Sequence, residues 1–128
     1  MPTTVSDHLV EILLQWGVDT VFGLPGDGIN GLVEAFRKTK DRIRYVHCRH
    51  EETAALAAAA YAKFSGRLGA CFSTAAPGAV HLLNGLYDAK IDGAPVLASL
   101  ELRANLTFGD VAVTEPPWRC GGVKPPGP

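Results

Sequence analysis

Two short stretches carry residue types that could do chemistry: GLPGDGING, from Gly23 to Gly31, and RHEE, from Arg49 to Glu52. In the first, Gly26-Asp27-Gly28-Ile29-Asn30-Gly31 satisfies G-x-G-x-x-G. Glycines at that spacing let a backbone approach a pyrophosphate at a helix N-terminus. Gly26-Asp27-Gly28 also opens a Mg²⁺-diphosphate motif, in which carboxylate and amide oxygens share one octahedral ion. A third reading is a tight strand-to-helix turn with another role. The Mg²⁺ motif needs an Asn pair downstream, but the asparagines are Asn30, Asn84 and Asn105, and no pair stands at a useful distance from Asp27. The dinucleotide reading has the better context. The glycines follow a predicted strand and open a helix, and Glu51 is close to where an acid about 20 residues on would bind a ribose. Against it, a lone G-x-G-x-x-G is a weak signal, and Pro25 stiffens the turn.

In the second stretch, a Glu in the first turn of a helix gains about 0.3–1 kcal/mol from the macrodipole. Either Glu51 or Glu52 could fill that role, so the dipole alone does not require both. Cys48, Cys71 and Cys120 are odd in number and share no C-x-x-C spacing. They suit a reducing cytosol, where the protein is expected, and argue against a disulfide framework or a zinc site. No metal-ligand set is expected. His8 and His47 have no evident partner.

The elements that must position these residues follow from periodicity. Val5, Leu9, Ile12, Leu13 and Trp16 recur at helical spacing, and Gly17 ends that run. DTVFGLP reads as a buried strand stopped by Pro25. Ile29, Leu32, Val33 and Phe36 form a second helical stripe closing at Arg37-Lys38. The residues from Ile43 to Cys48 form a strand, EETAALAAAAYAKF a helix, LGACFST a strand, PGAVHLLNGLYDAKI a helix and PVLASL a last strand. This alternation predicts a single α/β domain with a parallel sheet and helices on both faces. Ligands bind at the carboxyl ends of the strands in such sheets. The loops Gly23 to Gly28, Arg49 to Glu52 and Thr74 to Gly78 should therefore converge.

The chain has 128 residues, enough for its own core, and is 47% hydrophobic and 20% charged, as soluble globular domains are. A net charge of −1 gives no basic footprint for nucleic acid. No apolar run reaches the roughly 20 residues of a membrane span, and the acidic N-terminus does not read as a signal peptide. The alanines at 54, 55 and 57 to 60 allow a neighbouring element to approach closely, by helix-on-sheet packing or at a subunit interface. After about Leu100 the periodicity fades, and five of the nine prolines fall between Pro116 and Pro128. Residues 101–128 read as a loose tail, with Trp118 unexplained.

Six segments together carry a resemblance. They are WGVDTVFGLPGD (16–27), RHEE (49–52), AAAAYAKFSG (57–66), APG (76–78), LLNGLYDA (82–89) and PVL (95–97). In order and spacing, the chain from about Val5 to Leu97 resembles the N-terminal, pyrimidine-binding domain of thiamine diphosphate-dependent enzymes. The pyruvate oxidase and acetolactate synthase group is the most similar, and His81 leans toward pyruvate oxidase. The resemblance implies a thiamine diphosphate-binding fold over residues 1–100 and makes GLPGDGING a loop beside the cofactor. It also implies that Glu51, ten positions before Tyr61, hydrogen-bonds the aminopyrimidine ring nitrogen and acts as its acid–base partner. Pro25, Gly26, Thr74, Pro77, Gly78 and His81 are the implied cofactor wall. The family usually has Gly where this chain has Ala76, whose methyl could crowd that wall.

The resemblance also implies what this chain lacks. The family completes its site with a diphosphate-binding domain of another subunit, which carries Mg²⁺, and some members hold FAD. This chain is expected to meet only the pyrimidine end of the cofactor, to bind neither Mg²⁺ nor FAD, and to be inactive without a diphosphate-domain partner. Dimerisation through the alanine-rich helix is expected. The tail lacks the family's Gly-Gln continuation, which suggests a truncation or frameshift after Leu100. The alternative function is a non-catalytic module that pairs with intact thiamine enzymes.

Overall fold

The computed structural model describes residues 4–74 and 77–100, and the backbone of Ala112 and Val113. Ala76, Trp118, Cys120 and nearly all of the 101–128 tail, with the expectations that fall on them, lie outside the described residues. The elements run α1 (Val5–Gln15), β1 (Thr20–Gly23), a 3-10 turn (Asp27–Ile29), α2 (Asn30–Lys38), β2 (Arg44–His47), α3 (Glu51–Ser65), β3 (Gly69–Ser73), α4 (Pro77–Ile91), β4 (Val96–Leu100) and β5 (Ala112–Val113).

The sheet order is β2-β1-β3-β4-β5. The first four strands are parallel, and β5 pairs antiparallel with β4 through Leu97–Val113 and Ala98–Ala112. Period-2 alternation sends neighbouring residues to opposite faces. Val21, Ala70, Phe72 and Leu97 join Val10, Leu13, Leu32 and Phe36 in a core under α1 and α2. Cys71, Val96 and Ala98 join the alanines of α3 and Leu82, Leu86 and Ala89 of α4 in the opposite core. Helices therefore cover both faces, as the alternation predicts.

Local chemistry sets the helix ends. Thr4 caps α1 in a reciprocal box, its side chain accepting from the Asp7 N–H while the Asp7 carboxylate accepts from the Thr4 N–H. Gly17, at φ 78, provides the left-handed turn that ends α1. The expected apolar stripe of α1 is only partly right. Val10 and Leu13 are buried, whereas Val5, Ile12 and Trp16 are exposed. β1 stops at Gly23, before Pro25, which has no N–H to give a ladder.

The alanine helix explains how the second layer closes. A Cβ at Gly69 of β3 would lie 2.2 Å from the Ala58 carbonyl oxygen, and one at Gly85 of α4 would lie 2.5 Å from the Ala55 carbonyl carbon. Ala54, Ala55, Ala58, Ala59 and Ala62 are buried. The alanines thus face inward, where α3 lies directly on β3 and α4. At the far end of α3, Tyr61 donates to Asp19 Oδ1 at 2.5 Å, and Arg67 also bonds Asp19. These contacts tie the entry to β1 to the end of α3.

Candidate functional site

In a sheet of order 2-1-3-4, the chain leaves β1 toward β2 on one side and β3 toward β4 on the other, and the crevice between β1 and β3 at their carboxyl ends is where ligands bind. Two of the three expected loops meet there. A Cβ on Gly26, after β1, would lie 2.8 Å from Thr74 Cγ2, after β3. Gly26 and Thr74 are half-buried, and Pro25 beside them is exposed.

The third loop brings Glu51. His50 has extended backbone (φ −152, ψ 143) and is the N-cap of α3, its Nδ1 accepting from the Glu52 N–H at 3.3 Å. Glu51, the first helical residue, is 7% exposed. Its carboxylate turns inward onto the first turns of α4. A Cβ on Gly78 would lie 2.9 Å from Glu51 Oε1 and 2.4 Å from Ser73 Oγ. Only glycine leaves room there for both oxygens. Pro77, exposed, starts α4 just ahead of it.

One turn further on, His81 reaches Glu51: its Nδ1 is 3.0 Å from Oε2. The Glu51 side chain is 9% exposed and that of His81 45%. Burial pushes the Glu51 pKa up, but the His81 hydrogen bond, its own backbone N–H and the nearby His81 and His50 charges outweigh burial and hold it below the usual range. An ionised carboxylate can only accept, so Nδ1–H of His81 donates; that tautomer is inferred from the bond. The His50 and His81 rings stack at 4.6 Å between centroids. Glu52 goes elsewhere, its Oε2 accepting from the Asn84 amide at 3.1 Å. The two glutamates are therefore not equivalent: one is buried and inward, the other is spent on a surface rung between α3 and α4.

Sequence reasoning foresaw that these three loops converge. It missed Ser73, the Glu51–His81 contact and the close approach of three potential metal ligands. One ligating atom each from His50, Glu51 and His81 lies within 4.8 Å of the other two. Thirty residues separate Glu51 from His81, and only the packing of α4 on α3 joins them. Two cavities lie elsewhere. One of about 410 Å³ is between α2 and β2, lined by Phe36, Lys40, Arg44 and Tyr45 among others. The other, of about 490 Å³, is lined by Phe22, Tyr61 and Phe64 along α3. Neither touches Glu51.

Residues 3–99 match the family described as "Thiamine pyrophosphate enzyme, N-terminal TPP binding domain". The chain belongs to this thiamine pyrophosphate enzyme family. It is 59% identical over 95 residues to the putative thiamine pyrophosphate-containing protein YdaP of Bacillus subtilis, covering 74% of this chain and 17% of that protein. It is 51% identical over 118 residues to pyruvate oxidase of Lactiplantibacillus plantarum, covering 81% of this chain and 20% of that enzyme. It is 42% identical over 93 residues to the acetolactate synthase isozyme 2 large subunit of Escherichia coli, covering 73% of this chain and 17% of that subunit. The chain thus spans about a fifth of the length of these relatives. Membership in the thiamine family sets aside the dinucleotide reading of GLPGDGING. The structure gives the physical reason: a 3-10 turn separates Gly26 from α2, and Glu51 lies in α3 rather than at the end of β2. Among the described residues, no helix is long and apolar enough to cross a membrane.

Proposed function

We propose that this thiamine enzyme domain supplies the pyrimidine-side half of a cofactor site in a pyruvate oxidase- or acetolactate synthase-like enzyme that decarboxylates a 2-keto acid. The observation that carries the reading is the buried Glu51 side chain, held at the carboxyl end of the sheet by Gly78 and His81. The site fits the pyrimidine end of the cofactor. It offers one fixed carboxyl group for a ring nitrogen, beside Pro25, Gly26, Thr74, Pro77 and Gly78, with Gly26 packed against Thr74 and Gly78 against Ser73 and Glu51. When bound, thiamine diphosphate supplies the carbon nucleophile and electron sink for decarboxylation.

Glu51 in its protonated form donates to the ring nitrogen and, having passed that proton on, accepts from the resulting N–H as a carboxylate. His81 orients the carboxyl group. His50 starts the helix that presents it. Holding the carboxylate against Gly78 spares the cofactor the cost of arranging it.

Mg²⁺ and the diphosphate end, and FAD where a relative uses it, belong to a partner domain. Val80, Leu83, Tyr87 and Ile91 form an exposed apolar stripe at helical spacing along α4. This stripe, rather than the inward-facing alanines, is the surface offered to a diphosphate-binding domain or a second subunit. A cytoplasmic location suits Cys48 and Cys71, which are both buried and free.

Complementation tests the function. The chain is co-expressed with Lactiplantibacillus plantarum pyruvate oxidase from which the matching N-terminal segment has been removed. Pyruvate turnover is expected with this chain and not with Glu51→Gln. Equal turnover with Glu51→Gln would sink the role of Glu51. Stable pairing with no turnover from either chain would favour the interaction module.

A further inference from the structure

We propose that His50, Glu51 and His81 form a binding site for a divalent transition-metal ion of the zinc class. The ligating atoms already lie within 4.8 Å of one another. His81 Nδ1, 3.0 Å from Glu51 Oε2, becomes a ligand once its ring proton moves to Nε2, so the metal replaces the Nδ1–H···Oε2 bond, and the His50 ring lies beside it at 4.6 Å between centroids. Two imidazoles and one carboxylate, with a position left for water, are a donor set that zinc takes in three-ligand sites. Imidazole donors favour zinc, copper or nickel, whereas Mg²⁺ asks for oxygens in near-octahedral order.

The movement required is small. Ligand atoms around a tetrahedral zinc, each about 2.0–2.1 Å from the metal, stand about 3.4 Å apart. Closing the present cluster takes shifts of about an ångström from that geometry. His50 and His81 are exposed and can supply them, while burial fixes Glu51 as the anchor. The bond from the Glu52 N–H to His50 Nδ1, at 3.3 Å, is long and holds that ring weakly. Glu51 is the one carboxylate among the three ligands. Asp7, Glu11, Asp88 and Asp92 are engaged with Lys38, Arg42 and Lys63.

A bound metal would occupy the carboxylate that the proposed function assigns to the cofactor, so metal and aminopyrimidine would exclude each other. That consequence rests on the proposed function; metal binding itself rests on the three side chains alone.

The test uses the full chain, Zn²⁺ in titration calorimetry and Co²⁺ as a spectroscopic probe near neutral pH. One equivalent of Zn²⁺ is expected, with a cobalt spectrum lacking thiolate charge transfer. His81→Asn and His50→Asn should each weaken binding by at least about tenfold. Asparagine at position 50 keeps an N-cap acceptor, so unchanged far-ultraviolet circular dichroism separates loss of a ligand from loss of the helix. Absence of binding, a thiolate band, or unchanged affinity in either folded variant would overturn the proposal. None of these outcomes alters the pyruvate-turnover comparison, which is made without added zinc.

Discussion

Gly85→Ala probes the contact that brings His81 to Glu51. A Cβ at Gly85 would lie 2.5 Å from the Ala55 carbonyl carbon, 2.5 Å from Ala55 Cβ and 2.5 Å from the Leu56 nitrogen. Two of these three atoms are backbone, so no rotamer change relieves the clash. The helices must separate by about 1 Å to restore ordinary contact. Alanine gains about 1 kcal/mol over glycine in helix propensity. Overpacking costs about 1–3 kcal/mol, and with two backbone atoms in the way the cost here is in the upper part of that range, about 2–3 kcal/mol. The clash wins, and the net loss is about 1–2 kcal/mol. With a urea m-value of about 1–3 kcal/mol/M, the unfolding midpoint falls by roughly 0.3–2 M. Equilibrium urea unfolding followed by circular dichroism reads that shift. His81 is one turn from Gly85 on the same helix, so its Nδ1 signal should also move in ¹⁵N NMR as α4 backs away from Glu51. A midpoint that stays put or rises would refute the close α3–α4 contact, and with it the reason these two side chains meet.

Two further predictions concern residues away from the site. The hydrogen bond from Tyr61 is the largest influence on Asp19, and with help from Thr20 and Arg67 it holds the Asp19 carboxyl below its usual range against the opposing effect of burial. A lowered folded pKa gives stability that is present above the unfolded value and lost as pH falls through the folded one. Asp19 is partly exposed, so the effect is about 1 kcal/mol or less. Asp19→Asn should flatten the fall in urea midpoint below about pH 4, and an unchanged acid limb would contradict the assignment. Burial pushes the Cys71 thiol up to about 12. Native Cys71 should therefore react with a disulfide reagent only as fast as the chain opens, as mass spectrometry of the labelled peptide would show; prompt labelling would contradict its burial.

The four parallel strands and four helices were legible because apolar periodicity and turn residues are local signals. The strand order was not, because alternation alone does not say which strands lie beside β1. The face of α1 was partly misread because Ile12 and Trp16 fit a helical stripe, while the core buries Val10 and Leu13, with Leu9 and Leu14 packed partly against it. Glu51 stood out only through resemblance. By helix-dipole reasoning Glu52 is its equal, and only the neighbouring Gly78 and Asn84 separate the buried carboxylate from the surface one. The Glu51–His81 contact had no sequence signal. It depends on Gly85 fitting against Ala55, two residues that read locally as ordinary helix positions.

The measurement that bears most directly on the role of Glu51 is hydrogen–deuterium exchange at the reactive ring carbon of bound thiamine diphosphate. It would be made in the complex of this chain with its complementing partner. A carboxylate acting on the ring nitrogen contributes about 10²–10⁴-fold as an acid–base partner. Exchange should therefore be fast with the natural chain and slower by about that factor with Glu51→Gln, at equal cofactor occupancy. Equal exchange rates in the two complexes would contradict the account.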